Sequence, residues 1–239
     1  MVTLRPKKKS SIKIKMLMVI FDFKIERREI PAFRAAVVEK VGRENTLFHN
    51  HLEQQQFLYG YPLIQYKTVR GNPAIICINE GSEEILKFFK QVDWDLLIHG
   101  KKVETEIRNI SFDYVHCGIL SEQLRYRINN WFALNKSNFA NFIELDNDRD
   151  KIEFLQRILI GNILTFAKGI EWNIDGQIKL IIPALPKRRF FSFKDHQMVG
   201  FDLDFITNIA LPNSVGLGKS VSRGFGMIGR IGQQWNRQN

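Results

Sequence analysis

The sequence predicts an α+β protein of two tandem units, each an antiparallel sheet with its helices on one face. Three observations predict it. Strand and helix signals over residues 12–115 follow the order β-α-β-β-α-β, which is the ferredoxin-like order. Residues 148–168 form the strongest helix signal in the chain and are followed by further strand signals, compatible with a second, modified unit of that kind. The chain has 239 residues, 44% of them hydrophobic, enough apolar side chains for two cores. The expected division is 1–113 and 114–239. No Pro/Gly/Ser-rich linker is visible near 110–118, so the two units are expected to pack closely.

In order, Ile12, Ile14, Met16, Met18 and Ile20 alternate with other residues, the period of a strand with one buried face. Residues 31–42 read as a helix, with Pro31 at its start, Gly42 past its end, and Phe33, Val37 and Val41 as its buried stripe. Residues 61–69 and 74–79 read as strands around a turn at 71–73. Ser82 is expected to cap a second helix reaching about residue 92, and a strand is expected from 103 to 115. In the second half, 126–134 and 140–145 look extended. The helix at 148–168 carries Ile152, Leu155, Leu159, Ile163 and Phe166 on one face and Asp148 and Asp150 in its first turn. Strands are expected near 177–182, 198–208 and 225–231.

Thirty-five Lys and Arg against 25 Asp and Glu leave a net charge of +10, which favours a polyanionic partner. No apolar run approaches the length of a membrane span. Cys77 and Cys117 form no CxxC pair and read as reduced, packed side chains of a cytosolic, hence cytoplasmic, protein. The run Lys7-Lys8-Lys9 reads either as a frayed tail or as a nucleic-acid contact.

Residues 211–228 hold Gly216, Gly218, Gly224 and Gly226, with Lys219, Ser220, Ser222 and Arg223 between them. Glycines let a backbone approach a ligand, and backbone N–H groups beside cations attract anions. A mononucleotide P-loop and a loop that grips an RNA backbone both use such residues. The P-loop spacing fails, because Asn213 stands where its first glycine belongs and Gly224 and Gly226 interrupt any following helix. A second basic patch, 186–194, interleaves Lys187, Arg188 and Arg189 with phenylalanines. It suits RNA phosphates and splayed bases, or a solvated loop whose phenylalanines face the core.

Of five histidines only His49 and His51 are close neighbours. An imidazole pair can supply a base and an acid together. RNA cleavage without a metal needs both roles, with a cation such as Lys67 or Lys219 near the phosphate. Spacing alone leaves open a structural pair and a two-ligand metal site, though two His are too few for zinc without a third ligand. His99, His116 and His196 read as structural.

The pattern G-x-G-K-S-x-S-R-G-F-G at 216–226 resembles the C-terminal glycine-rich loop of the RAMP proteins, the RNA-binding proteins of CRISPR systems. The string FHNHL at 48–52, followed by YPLIQYK at 61–67, is similar to the N-terminal domain of one branch of the CRISPR repeat-processing endoribonucleases. The resemblance implies two RAMP-type domains and CRISPR repeat RNA as partner. It also implies RNA contacts along the glycine loop, and places His49 and His51 where that branch has its histidines. It leaves undetermined which histidine is base and which acid, and residues 123–209 contribute little to it. No cofactor and no metal are expected. A homodimer and association with other CRISPR complex subunits are compatible with it, as is a RAMP-type RNA-binding subunit that does not cut.

Overall fold

The computed structural model describes residues 11–49, 60–193 and 196–232. His51 and Lys7, Lys8 and Lys9, all named above, lie outside the described residues.

The first unit begins with β1 (Ser11–Phe21), followed by α1 (Ile30–Val41), β2 (Ile64–Val69) and β3 (Asn72–Ile78). Pro31 opens α1 and Gly42, at φ +94°, closes it, a conformation that costs glycine little. Phe33, Val37 and Val41 are buried as expected, with Ile30 and Ala36 beside them. The expected helix from Ser82 is instead two four-residue turns, α2 (Gly81–Glu84) and α3 (Leu86–Phe89). Ser82 does not cap it, since its hydroxyl donates to the Cys77 carbonyl at 3.4 Å. A small hairpin follows, β4 (Leu96–Ile98) and β5 (Lys101–Val103). Then β6 (Ile107–Trp131) runs unbroken for 25 residues.

The second unit continues with α4 (Lys136–Ile143), α5 (Asp148–Gly169), β7 (Leu180–Ile181), β8 (Arg188–Phe193), β9 (His196–Ala210) and β10 (Met227–Arg230). Residues 140–143, read as extended, end α4, a helix capped by the Asn135 side chain on the Asn138 N–H. The basic stretch read as a loop or RNA surface contains β8, which forms a hairpin with β9.

Strand order shows the plan. The first unit runs β2-β3-β1-β6, and the second runs β10-β6-β9-β7. Both are the split βαβ arrangement, and β6 serves in each. Its first half pairs β1 from Asn109↔Ile20 to Gly118↔Ser11; its second half lies between β9 and β10. Eight strands thus form one antiparallel sheet with two cores. One core gathers Phe21, Phe33, Tyr66 and Phe88, and the other gathers Tyr126, Trp131, Leu159, Phe166 and Phe205.

Of the expected stripe on β1, Ile14 is buried in the second core with Ile12 and Met16 against it, but toward α1 the other parity is covered. Val19 and Phe21 are the residues packed beneath α1, while Met16, Met18 and Ile20 face away from it. They line an open groove of about 1270 Å³, whose lining also includes Lys24, Arg70 and Arg230. Both faces of β1 are apolar, so alternation alone does not say which one the helices cover.

Candidate nucleic-acid interface and cleavage site

In the second unit, the connection between β9 and β10 stands where the second helix of a ferredoxin-like unit would be. It is the glycine-rich loop, with one 3-10 turn, Val221–Arg223. Among the described residues no α-helix follows Lys219 and Ser220, so the P-loop geometry is absent.

The loop is held from inside. Val215, Leu217 and Val221 are buried in the core of the second unit. Its backbone N–H groups are largely spent within the protein. Gly216 N–H donates to Gln65 Oε1 at 2.9 Å, Leu217 to Gly226 O at 2.9 Å, Lys219 to Phe132 O at 3.3 Å and Gly226 to Asn130 O at 3.1 Å. These four donors are therefore not available to the anion site expected along the loop. What the loop turns outward is the exposed Lys219 and the half-buried Ser220, Ser222 and Arg223.

The glycines have an internal reason as well. A Cβ on Gly216 would lie 2.8 Å from Lys67 Nζ, and one on Gly218 would lie 2.7 Å from Trp131 Nε1. Gly216 is buried, so it serves packing rather than meeting RNA directly. Gly218, at φ +94°, is half-buried.

The first unit supplies the floor. Tyr61 OH donates to Gly216 O at 2.7 Å and receives Gln65 Nε2 at 2.8 Å. Lys67 is 1% exposed, and its ammonium donates to Val221 O at 3.1 Å and Phe225 O at 3.4 Å. The expected catalytic cation is therefore a strut under the loop, closed to solvent. Burial, and secondarily the nearby Arg27, pull its pKa down from 10.5 to about 7. The unfolded chain keeps this proton up to the ordinary lysine range, while the folded chain releases it near 7. The unfolded state therefore binds more protons between those limits, and this group adds stability as pH rises through that window. From about pH 6 to about pH 9, the melting temperature of the native protein should rise relative to that of Lys67→Met by about 5 °C or more. Parallel curves would place the ammonium in water.

Two arginines that sequence reading missed complete the surroundings. Arg27 donates to Gly224 O at 2.7 Å and sits 5.3 Å from the centroid of the Phe225 ring. Phe225 stacks on Phe132 at 4.2 Å and meets Phe191 edge-on at 5.9 Å. Arg189 lies over Phe191 and pairs with Asp202, and it is felt electrostatically by Arg27. Lys187 and Arg188 are exposed, with Phe190 beside them. Arg34 donates to the His49 carbonyl at 2.5 Å. Burial, then the neighbouring Arg223, lowers its pKa, with Tyr66 acting in the opposite sense. Its Nε is buried with no partner among the described residues. A lone arginine inside a helix signal carries no mark of function, and only the fold brings it to the loop.

His49 follows the 3-10 turn Thr46–Phe48, whose Phe48 carbonyl receives Tyr66 OH at 3.1 Å. Its Nε2 lies 2.6 Å from the Arg43 carbonyl. A carbonyl only accepts, so Nε2 carries the proton and Nδ1 is the basic nitrogen of the neutral ring. Through Arg34, His49 is joined to the side of the loop that bears Arg223. His99 sits at φ +51° between β4 and β5, and His116 is exposed on β6. Among the described residues no group of three or more His, Cys, Asp or Glu is gathered as metal ligands. No described helix is long and apolar enough to cross a membrane.

Two split-βαβ units sharing one sheet, with a cation-bearing glycine loop in place of a helix, define a RAMP-type protein. The chain belongs to the Cas6b family: residues 12–115 match the Cas6b N-terminal domain and residues 118–231 the Cas6b C-terminal domain. A crystal structure of Cas6b is similar at 30% identity and a TM-score of 0.82, covering 92% of this chain and all of that one. A crystal structure of the CRISPR RNA processing endoribonuclease Cas6b is similar at 27% identity and a TM-score of 0.72, with the same coverage. An uncharacterized protein of Methanocaldococcus jannaschii is 34% identical over 116 residues, 48% of this chain and 77% of its own length.

Proposed function

We propose that this protein is an endoribonuclease that cuts CRISPR repeat transcripts into guide RNAs without a metal ion. Membership of the Cas6b family, with a relative that processes CRISPR RNA, carries the reading. The junction of His49, Arg34 and the glycine loop supports it. Residues 1–113 bring the histidines and residues 114–239 bring the loop that binds RNA.

In the proposed step a ribose 2′-oxygen attacks the adjacent phosphorus and the bond from phosphorus to the 5′-oxygen breaks. The 2′-hydroxyl proton goes to a base and the leaving 5′-oxygen receives a proton from an acid. The products carry a 2′,3′-cyclic phosphate and a 5′-hydroxyl. His49 and His51 are the proposed pair, and Nδ1 is the atom of His49 that takes the proton in the role of base. The exposed Lys219 and the half-buried Arg223 are the proposed partners of phosphate oxygens, with Arg34 holding the His49 carbonyl. Lys187 and Arg188, exposed at the start of the β8 hairpin, and Arg189 beside them are proposed to extend the basic surface.

The test is a labelled repeat RNA from the same genome, incubated with and without EDTA. Equal cleavage, with those ends, is expected; dependence on magnesium overturns the mechanism. A second reading, an RNA-binding subunit that does not cut, is favoured by the bond from His49 Nε2 to Arg43 O, since the same bond would serve a purely structural histidine. Intact RNA in a tight complex after long incubation would establish it. Association with other CRISPR subunits belongs to either reading.

A further result is expected at the loop. Changing Lys219 and Arg223 together to Ala should weaken repeat binding. The dependence of log affinity on log salt should become shallower by roughly 0.7 per lost phosphate contact. An unchanged slope would remove these side chains from the RNA surface.

A further inference from the structure

Among the described residues, 107–117 of β6 are paired on one edge only. β1 takes that edge. On the other, β9 reaches no further than Ala210 opposite Gly118, and no described strand continues past it. Asn79 N–H donates to Lys15 O at 3.0 Å, so the odd-numbered residues of β1 turn their backbone groups toward β3. The even-numbered ones face β6, where they meet residues 109, 111, 113 and 115. The backbone groups of Arg108, Ile110, Phe112 and Tyr114 therefore point out of the open edge. The side chains of Ile110, Phe112 and Tyr114 are 49%, 49% and 53% exposed, and the two rings meet edge-on at 5.3 Å. An open edge carrying an apolar stripe is a template for strand addition.

We propose that the occupant is a second copy of this chain, its β6 running antiparallel about a two-fold axis at Ser111 and joining the sheets of two molecules. The register carries the choice. With the axis there, Ile110 opposes the partner's Phe112, Asn109 opposes the partner's Asp113, and Arg108 opposes the partner's Tyr114. Apolar meets apolar, amide meets carboxylate and cation meets ring, each twice. The residues whose backbone groups point outward pair with one another, as a ladder requires, and Ser111 meets its own copy as a non-hydrogen-bonded pair. Moving the axis to Phe112 keeps the apolar stripe matched, with Ile110 against the partner's Tyr114, but sets Arg108 against the partner's His116 and Asn109 against the partner's Val115, so the polar and cation–ring matching is lost.

The experiment uses the full chain without RNA and does not depend on cleavage. Sedimentation velocity should show a concentration-dependent dimer, and Phe112→Asp should weaken it by about tenfold or more. Ser111→Cys should give a covalent dimer under mild oxidation, because non-hydrogen-bonded pairs hold their Cα atoms closest. Asn109→Cys should cross-link to Asp113→Cys in a mixture but not to itself. Cys77 and Cys117 are buried, which keeps the native background low. A protein that stays monomeric, or a dimer that survives Phe112→Asp and does not cross-link at 111, overturns the proposal. Capture of a different protein at this edge in place of self-association would overturn it as well. If Phe112→Asp misfolds, the cysteine pairs decide alone.

Discussion

Changing His49 to Gln should lower the single-turnover cleavage rate by roughly a hundred- to ten-thousand-fold while repeat affinity moves by less than about tenfold. The choice of glutamine follows from the geometry. Its amide N–H₂ can replace Nε2 on the Arg43 carbonyl, 2.6 Å away in the native protein, but it has no basic nitrogen to stand for Nδ1. His49→Ala loses both. A histidine that only braces the turn is rescued by Gln and not by Ala; a catalytic one is rescued by neither. His51→Ala should lower the rate on the same scale, and the double variant should lose less than the product of the two factors. If the pair works as base and acid, each single change removes one limb of a bell-shaped pH profile. Wild-type rates in both variants would place the chemistry elsewhere.

Gly226→Ala should be the most damaging small substitution in the glycine loop. Gly226 lies at φ +65°, and an added Cβ would sit 1.9 Å from the Leu217 carbonyl oxygen. The contact is backbone on backbone, so no rotamer relieves it. The Leu217 N–H bond to Gly226 O and the Gly226 N–H bond to Asn130 O both have to give way. The melting temperature should fall by roughly 5–15 °C, the scale for losing a few kcal/mol in a chain of this size. Repeat affinity should fall by about tenfold or more, because Lys219 and Arg223 ride on the displaced segment. Gly229→Ala is the control. It lies in β10 with nothing within 4 Å of its added Cβ, and both quantities should stay near native. A native melting curve for Gly226→Ala would mean that the two loop arms separate at no cost.

Much of this was legible along the chain. The apolar spacing of α1 and α5, with their terminal signals, survives in the fold because both helices bury one stripe of their own. The order of elements was enough for the ferredoxin-like plan, since each signal arises within a few residues. Failures occurred where local signals were weak or two-sided. Residues 140–143 are helical because Asn135 caps a short helix whose one buried residue is Phe142, too little for a periodic pattern. The segment after Ser82 breaks into two turns for which no account emerges from its composition.

What the sequence by itself determined is therefore the local grammar: strands from period two, helices from apolar stripes, a loop from its glycines, and a basic character suited to RNA. Only the tertiary structure decided what that grammar is used for. Lys67 and the loop carbonyls it holds are 154 and 158 residues apart, and no local pattern reports such a contact. Their meeting turns a candidate catalytic cation into a buried strut. It also turns glycines expected to admit a ligand into glycines that let two backbones pass. Arg34 meets the His49 carbonyl and the loop's Arg223 for the same reason. The cost of burying charges and backbone donors is set by which distant groups arrive to satisfy them, and that is a property of the fold.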